Sequence, residues 1–256
     1  MNQNDGKTQK KPAQRHEKVV SHILNSIFTG KLEAGTKLPT EVKLSEELGV
    51  DRTSLRVALK QIESMQLLEI RQGDGIYVRD YLDNAGLDFL RILALSHEKE
   101  NSHIEIDRYL FDELWEFWTA VLPEIIKMAA KKTSPRDIKI LINMIAQEKD
   151  HIGDMDKIIH LELAQQDYLA RATKNLIIIL LFNSSRPLRR RMLEIIYNAI
   201  TGDDLKKHID YKILLLNEFS GGGLAKTLDE LNKYGLLLLQ YQGKIREYFR
   251  KDSQRR

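Results

Sequence analysis

Cysteine is absent from the 256 residues, and no apolar run in the sequence is long. Without cysteine the chain has no disulfide framework and no thiolate, which suits a reducing compartment. The longest apolar run, Leu176 to Phe182, is far below the ~20 residues that a membrane span needs, and the polar start has no segment typical of a signal peptide. We therefore expect a cytoplasmic protein without a membrane partner.

The chain also lacks a dominant sign of charge. It holds 40 basic and 37 acidic residues, for a net charge of +3. Residues 1–80 are only slightly more basic than acidic, with 13 Lys and Arg against 11 Asp and Glu. A nucleic-acid partner must therefore be argued from the arrangement of the charges, because their total does not indicate one.

The N-terminal third predicts a small mixed domain. Apolar residues recur at helical spacing in three successive segments, which glycine- and proline-containing loops separate. Two short runs rich in Leu, Ile, Tyr and Val follow, with Gly-Asp-Gly at 73–75 between them, which is a hairpin signal. Three helices and a hairpin predict a winged helix-turn-helix domain over residues 13–80, after a disordered tail at 1–12.

The third helical segment carries a row of cations beside its apolar face. Arg52, Arg56 and Lys60 stand four residues apart, and the hydroxyl residues Thr53 and Ser54 lie next to them. An isolated row of this kind is usually a solvated helix face. On the second helix of a helix-turn-helix, however, arginine is suited to the guanine acceptors of the DNA major groove, and the hydroxyls can donate to phosphates.

Beyond Asp80 the pattern becomes uniformly helical, and strand signals are scarce. Breakers, including Gly153, Pro187 and the glycines at 221–223, divide this part into six or seven helices. We therefore predict a mostly α protein, in which residues 81–252 form an all-α domain for effector binding and dimerisation.

The stretch "GKLEAGTKLPTEVKLSEELGVDRTSLRVALKQIESMQLLEIRQGDGIYV", residues 30–78, resembles the DNA-binding domain of the GntR family of bacterial transcription regulators. Many features match in order and without a gap, among them Leu38-Pro39 with Glu41, Leu48-Gly49-Val50, and Gly73-x-Gly75 before Val78. The helical remainder is similar, more loosely, to the ligand-sensing domain of that family's FadR branch.

The resemblance implies roles for individual residues of the head. Arg52 and Arg56 would contact bases or phosphates in the major groove, and Thr53 and Ser54 would hold the DNA backbone. Gly73, at the tip of the wing, would approach the minor groove.

Two departures from the family's pattern affect these roles. The family usually has Arg where this chain has Val42, so neighbouring Lys43 is the candidate to replace that contact. The family usually has Ser or Thr where this chain has Asp51. A carboxylate can cap the helix but repels phosphate, so we expect either weaker DNA binding than is usual in the family or a carboxylate that turns toward its own helix or toward Arg52.

The metal site of the FadR branch, one Asp and three His, has no counterpart here. Its positions fall on Glu162, on Gln166, near Tyr211, and at Lys233 or Tyr234. Because none of the three imidazoles is present, we expect no metal and no cofactor. A second cluster, between Asp150 and His160, resembles helical metal-dependent phosphohydrolases. Its doublet, however, runs Asp then His, the reverse of their order, and residues 150–156 surround Gly153 in an expected loop.

An organic effector could still bind between the helices. The step Lys233-Tyr-Gly is similar to a step in the acyl-CoA-responsive regulator that names the branch, so a fatty acyl-CoA is one expectation. A different organic acid, or no effector, stays open. The residues predicted to contact an effector are Trp115, Tyr197, Tyr211, Tyr234 and Gly235.

Together these features predict a DNA-binding transcription regulator that acts as a homodimer on a palindromic operator, because one recognition helix covers only a few base pairs. No paired nucleophile and base and no phosphate-binding glycine loop is apparent, so we expect no catalytic residues. A helical enzyme, and a winged-helix protein that makes only protein contacts, are the alternatives.

Overall fold

The computed structural model describes residues 12–96, 104–221 and 223–254. They divide into two compact units, residues 1–100 and 101–256. Helices dominate both units, and the strands of the described ranges form one two-stranded hairpin. The mostly α fold class with an N-terminal winged helix-turn-helix is therefore confirmed. Residues 1–11 of the predicted tail at 1–12 lie outside the described residues.

The first unit contains α1 (Pro12–Phe28), α2 (Glu41–Glu47), α3 (Arg52–Ser64), β1 (Leu68–Arg71), β2 (Gly75–Val78), α4 (Tyr81–Asn84) and α5 (Leu87–Ser96). The apolar stripe of α3, with Leu55, Leu59 and Ile62 fully buried, packs against α1 and α2. Burial of each such side chain contributes about 1.5–3 kcal/mol, and it fixes which face of α3 remains in solvent. The strands pair antiparallel from Leu68 opposite Val78 to Arg71 opposite Gly75.

The helix α5 packs into the core of the first unit. Phe89 and Leu93 are buried there, and Phe89 contacts the rings of Phe28 and Tyr81 at 6.1 and 5.5 Å between centroids. The sequence analysis begins the second domain at residue 81, whereas the compact units divide after residue 100. An apolar helix without a partner would expose its stripe to water, so the head retains α5.

The second unit contains the helices α6 (Ile104–Ala130), α7 (Pro135–Lys149), α8 (Met155–Ala172), α9 (Leu176–Ala199), α10 (Gly202–Gly221) and α11 (Gly223–Gln254). Glycine and caps end these helices as predicted at Gly153, with a φ of +108°, and at 221–223. The predicted break at Pro187 is wrong, because α9 continues through it. Buried neighbours on both sides, Phe182 and Leu188, hold this part of the helix in the bundle.

Among the described residues, no helix is both long enough and apolar enough to cross a membrane.

Candidate nucleic-acid interface and internal cavity

The start of α3 is held by Asp51. Its carboxylate accepts hydrogen bonds from the backbone N–H and from the hydroxyl of Ser54, each at 2.8 Å. Arg15 lies 3.7 Å from the same carboxylate. The bonds from the amide and then the hydroxyl of Ser54 lower the pKa of Asp51, so the cap is ionised at neutral pH. The carboxylate is therefore turned toward its own helix.

The outer face of α3 presents the predicted groove-reading residues to solvent. Arg52, Thr53, Arg56 and Lys60 are all exposed. The guanidinium of Arg56 donates to Glu41 at 2.7 Å, whereas the described residues contain no ion-pair partner for Arg52. Exposed ion pairs are weak, so the Arg56 pair does not prevent that side chain from meeting another anion.

Ser54 differs from its neighbours, because its side chain is buried and its hydroxyl is occupied by Asp51. The phosphate contact predicted for it would require that bond to break. Thr53 is the exposed hydroxyl at this end of α3. The position before the helix explains why the two residues differ, since Asp51 selects the hydroxyl that stands three residues after it.

The other predicted DNA contacts lie on α2 and on the wing. Lys43 is exposed on α2, 3.8 Å from Glu47, and its neighbour Val42 is 41 % exposed. Gly73 lies in the turn between β1 and β2 with a φ of +77° and open space around it. A side chain other than glycine would be strained at that φ, so a glycine here permits the tight wing.

Cations and an aromatic ring stabilise the wing. Lys37 donates to Asp74 at 2.7 Å, and Asp74 also accepts from the hydroxyl of Tyr77 at 2.8 Å. The guanidinium of Arg71 lies over the ring of Tyr77, 4.3 Å from its centroid. These contacts give the hairpin a defined shape next to the basic face of the head.

The second unit contains an internal cavity of about 130 Å³. Three of the five predicted effector residues, Trp115, Tyr197 and Tyr234, line it. Tyr211 and Gly235 do not line it. The hydroxyl of Tyr211 donates to Glu230 at 2.9 Å. Most of the wall is apolar, and its charged, amide and imidazole side chains come from α8 and α10.

One side of the cavity holds a buried charge cluster centred on Lys212. Its ammonium group donates to both carboxylate oxygens of Glu148, at 3.0 and 2.9 Å, and to Glu162. Gln165 links the cluster further, because it accepts from Lys212 and donates to Glu148 at 2.5 Å. We call these residues, Glu148, Glu162, Gln165 and Lys212, the lysine cluster.

In the lysine cluster, burial and ion pairing shift the pKa values in opposite directions. Burial raises the pKa of Glu148 to about 7, because a low dielectric disfavours its charged form. Burial alone would lower the pKa of Lys212, but Glu162 and Glu148 raise it above its usual value. The lysine is therefore charged at neutral pH. Burial lowers the pKa of the neighbouring His208 to about 3, so its ring is neutral.

The sequence analysis did not identify Glu148, Lys212 or His208 as parts of a site. They come from α7 and α10, and Glu162 comes from α8. Contacts between residues 50 or more positions apart leave no periodic pattern in the sequence. The only signal in the sequence was that Glu148 stands at a position of α7 where the other buried residues are apolar. Which positions are buried, however, depends on the fold.

The alternative metal cluster between Asp150 and His160 has other partners. Asp154 caps α8 by accepting from the amide of Lys157 at 3.1 Å, and Asp156 pairs with Arg190 at 2.7 Å. Over the part of the chain that the structure describes, no group of three His, Asp or Glu side chains is arranged to hold a metal ion. Glu162 and Gln166 are hydrogen-bonded to each other at 3.1 Å.

By its fold, the first unit is a winged helix-turn-helix domain with an exposed basic face, which is a class that binds DNA. The family profile described as "Bacterial regulatory proteins, gntR family" matches residues 15–78. The first unit of this chain therefore matches the DNA-binding domain of the gntR family of bacterial regulatory proteins.

The chain is similar to several curated regulators. Over 125 residues it is 34 % identical to the HTH-type transcriptional regulator Mce2R of Mycobacterium tuberculosis, covering 49 % of this chain and 50 % of that protein. Over 220 residues it is 26 % identical to the fatty acid metabolism regulator protein of Proteus mirabilis, covering 84 % of each. The first of these matches thus spans only about half the length of its relative.

The fold is similar to that of a solved structure. It is a Listeria monocytogenes protein, Lar, described as controlling the expression of the agr system and mediating virulence. The TM-score is 0.54 at 14 % sequence identity, over 93 % of this chain and 99 % of that one. At this identity the likeness supports the architecture of head and helical unit and carries no functional detail.

Proposed function

We propose that the protein is a sequence-specific DNA-binding transcription regulator whose operator affinity changes when a small molecule binds its helical unit. The observation that carries the proposal is the outer face of α3, where Arg52, Thr53, Arg56 and Lys60 are exposed on a helix whose opposite face is fully buried. This is the arrangement that places arginine side chains against base edges in the major groove. DNA as the partner makes the bacterial cytoplasm the proposed compartment.

The proposed DNA contacts extend from α3 to both sides of the head. Lys43 on α2 lies beside the position where an arginine is usual in the family, and it is exposed. Gly73 allows the wing to approach a groove closely, because no side chain projects there. Ser54 supports the contacts indirectly by bonding to Asp51.

We further propose that the protein acts as a homodimer on a palindromic operator. A single recognition helix reads only a few base pairs, and two heads related by twofold symmetry read two half-sites. An effector that favours one placement of the heads would then shift the population of the DNA-binding state.

The internal cavity is the proposed effector site. An acyl-CoA is one candidate, since relatives by sequence in Proteus mirabilis and Vibrio cholerae are named fatty acid metabolism regulator proteins. The apolar wall is compatible with an acyl chain. The broader proposal, a small organic effector, does not depend on that identity.

The test is selection of bound sequences from a random DNA pool. Wild-type protein should enrich a palindromic motif, and an Arg52→Ala/Arg56→Ala protein should lose it while it remains folded. Enrichment that is identical in the double variant would contradict the proposed reading helix. Absence of any motif at low salt, with and without acyl-CoA, would contradict the regulator proposal.

A hydrolase is the less supported function. Its proposed cluster uses Asp154 and Asp156, which serve as a helix cap and an ion-pair partner. Ester or phosphoester turnover with added divalent metals, abolished by chelation, would favour it over the regulator.

A further inference from the structure

We propose that two copies of this chain pair through the outer face of α11, with the two helices antiparallel about a twofold axis. The inference rests on the proposed function, because it names the interface of the proposed homodimer. Four residues of that face carry it, and we call them the α11 seam: Asn232, Leu236, Leu239 and Gly243.

The helix α11 has a buried face and an exposed apolar face. On the buried face, Leu238, Tyr241 and Ile245 pack in the core of the second unit. On the outer face, Leu236 is 61 % exposed and Leu239 is 55 % exposed. These two leucines are three residues apart, so they lie side by side on the helix surface. Adjacent exposed leucines are unfavourable in water, and burial against another protein removes that cost.

The α11 seam has the spacing of a helix-pairing surface. Its members follow one another at intervals of four, three and four residues, as the contact positions of a coiled coil do, and all four are exposed. Gly243 has open space where a side chain would stand, so the fold of a single chain does not require glycine there. Glycine is unfavourable inside a helix, but it allows a second helix to approach closely.

An antiparallel pair of α11 helices is symmetric about the centre of the seam. Leu236 then lies opposite Leu239 of the second copy. Asn232 lies opposite Gly243 of that copy, because the two pairs have the same midpoint along the helix. Every contact of the seam therefore occurs twice, as an interface about a twofold axis requires.

The charges on α11 complement each other in this arrangement. Residues 234–243 contain no charged side chain, so two seams do not repel each other. Asp229 precedes the seam and Arg246 follows it, and the antiparallel register places them opposite each other. A parallel pair would place each of them opposite its own kind, and like charges repel. Asp229 bonds to Lys233 at 2.7 Å and Arg246 to Asp112 at 3.1 Å, but such exposed pairs are weak and can exchange.

Another exposed apolar face lies in the first turns of α9, at Leu176, Ile177 and Leu180. Lys174 precedes this face and Arg186 follows it, and no acidic residue stands between them. Two copies of the α9 face would therefore offer no counter-charge to each other. Charge complementarity favours the α11 seam as the interface, and the α9 face provides a matched control.

The first test is sedimentation equilibrium of the full-length protein, for which we expect a dimer. Leu236→Glu/Leu239→Glu, which places four carboxylates in the proposed interface, should raise the dimer dissociation constant at least a hundredfold. Leu176→Glu/Leu180→Glu makes the same charge change on the α9 face and should leave that constant unchanged. A monomeric wild type, an α11 variant that dimerises like the wild type, or equal dissociation of the two variants would each overturn the inference.

Introduced cysteines test the antiparallel register, because the chain has no cysteine of its own. Asn232→Cys protein and Gly243→Cys protein are mixed under reducing conditions and then oxidised. We expect a disulfide-linked dimer from the mixture and none from either protein alone, since roughly 16 Å of helix would separate identical positions and a disulfide cannot span that distance. A linked dimer from one protein alone, or none from the mixture, would overturn the proposed pairing.

The same proteins separate this inference from the proposed function. If the wild type selects a palindromic DNA motif but Leu236→Glu/Leu239→Glu protein remains dimeric, the regulator stands and the interface is wrong. If that variant is monomeric but the dimeric wild type selects no DNA, the interface stands and the regulator proposal fails.

Discussion

Charged side chains serve opposite purposes in the two units of this protein. On α3 of the head, Arg52 and Lys60 are exposed and have no ion-pair partner within the described ranges, and Arg56 makes one exposed pair. In the helical unit, Lys212 is buried and both of its carboxylate partners are buried with it.

This difference shows which charged side chains are available to a binding partner. Water stabilises an exposed cation at little cost, so it remains free to meet DNA phosphates or bases. A buried cation must have its counter-charges built in, and it is then no longer available to a ligand. The following predictions test each side of this comparison, beginning with the largest effect.

Lys212→Met should cause the largest loss of stability. The substitution leaves Glu148 and Glu162 buried without a cation, and removal of one partner of a buried ion pair costs about 3–5 kcal/mol. Urea unfolding followed by circular dichroism measures this change. The control is Lys206→Met on the same helix, whose pair with Asp203 is exposed. Losses of similar size in both variants would contradict the expected cost of breaking the buried ion pairs of the lysine cluster.

Arg52→Ala and Arg56→Ala should act on DNA binding and not on folding. Each is expected to cost about 1–3 kcal/mol of binding free energy for the selected operator. The unfolding midpoint should change no more than it does for an ordinary surface substitution. Fluorescence anisotropy with labelled operator measures the affinity. Lys206→Ala, in the other unit, removes the same charge and should leave affinity unchanged. A matching loss in that control would indicate a general charge effect.

His208 should make stability depend on pH in the acidic range. Its pKa is lowered from 6.5 to about 3 on folding, so the unfolded chain binds the proton more readily and stability falls as pH decreases below 6.5. The slope contributed by this residue is roughly 1.4 kcal/mol per pH unit.

Between neutral pH and about pH 5, a His208→Gln protein should therefore lose roughly 2 kcal/mol less stability than the wild type. Urea midpoints at matched pH values give the comparison. Parallel pH profiles for the two proteins would mean that the imidazole already titrates in the folded state.

Asp51→Ser should have the smallest effect, on DNA affinity. Serine can still cap α3, and the negative charge near the DNA backbone is removed. We expect operator binding to tighten about two- to fivefold at low salt, and less at high salt. Asp80→Ser, which alters another helix cap of the head, is the control. Unchanged or weaker binding of Asp51→Ser would contradict repulsion by the carboxylate.

The head could be predicted almost entirely from the sequence. Its helices follow from apolar periodicity and from local signals such as Asp51 before α3 and the glycine in the wing turn. All of these act over a few residues, so they are readable in one dimension. The family resemblance at residues 30–78 rests on the same local features. The burial of Ser54 was missed, because it depends on which way α3 faces.

The helical unit was predictable only in part. The sequence by itself determined that the described residues beyond Asp80 are mainly helical, that Arg52 and Arg56 stand on one helix face, and that no cysteine chemistry is possible. Tertiary structure decided the rest, including the continuation of α9 through Pro187 and the place of α5 in the first unit's core. It also brought Glu148, Glu162 and Lys212 together from three helices around one cavity. Local periodicity specifies which face of a helix is buried, whereas only packing specifies which buried groups meet.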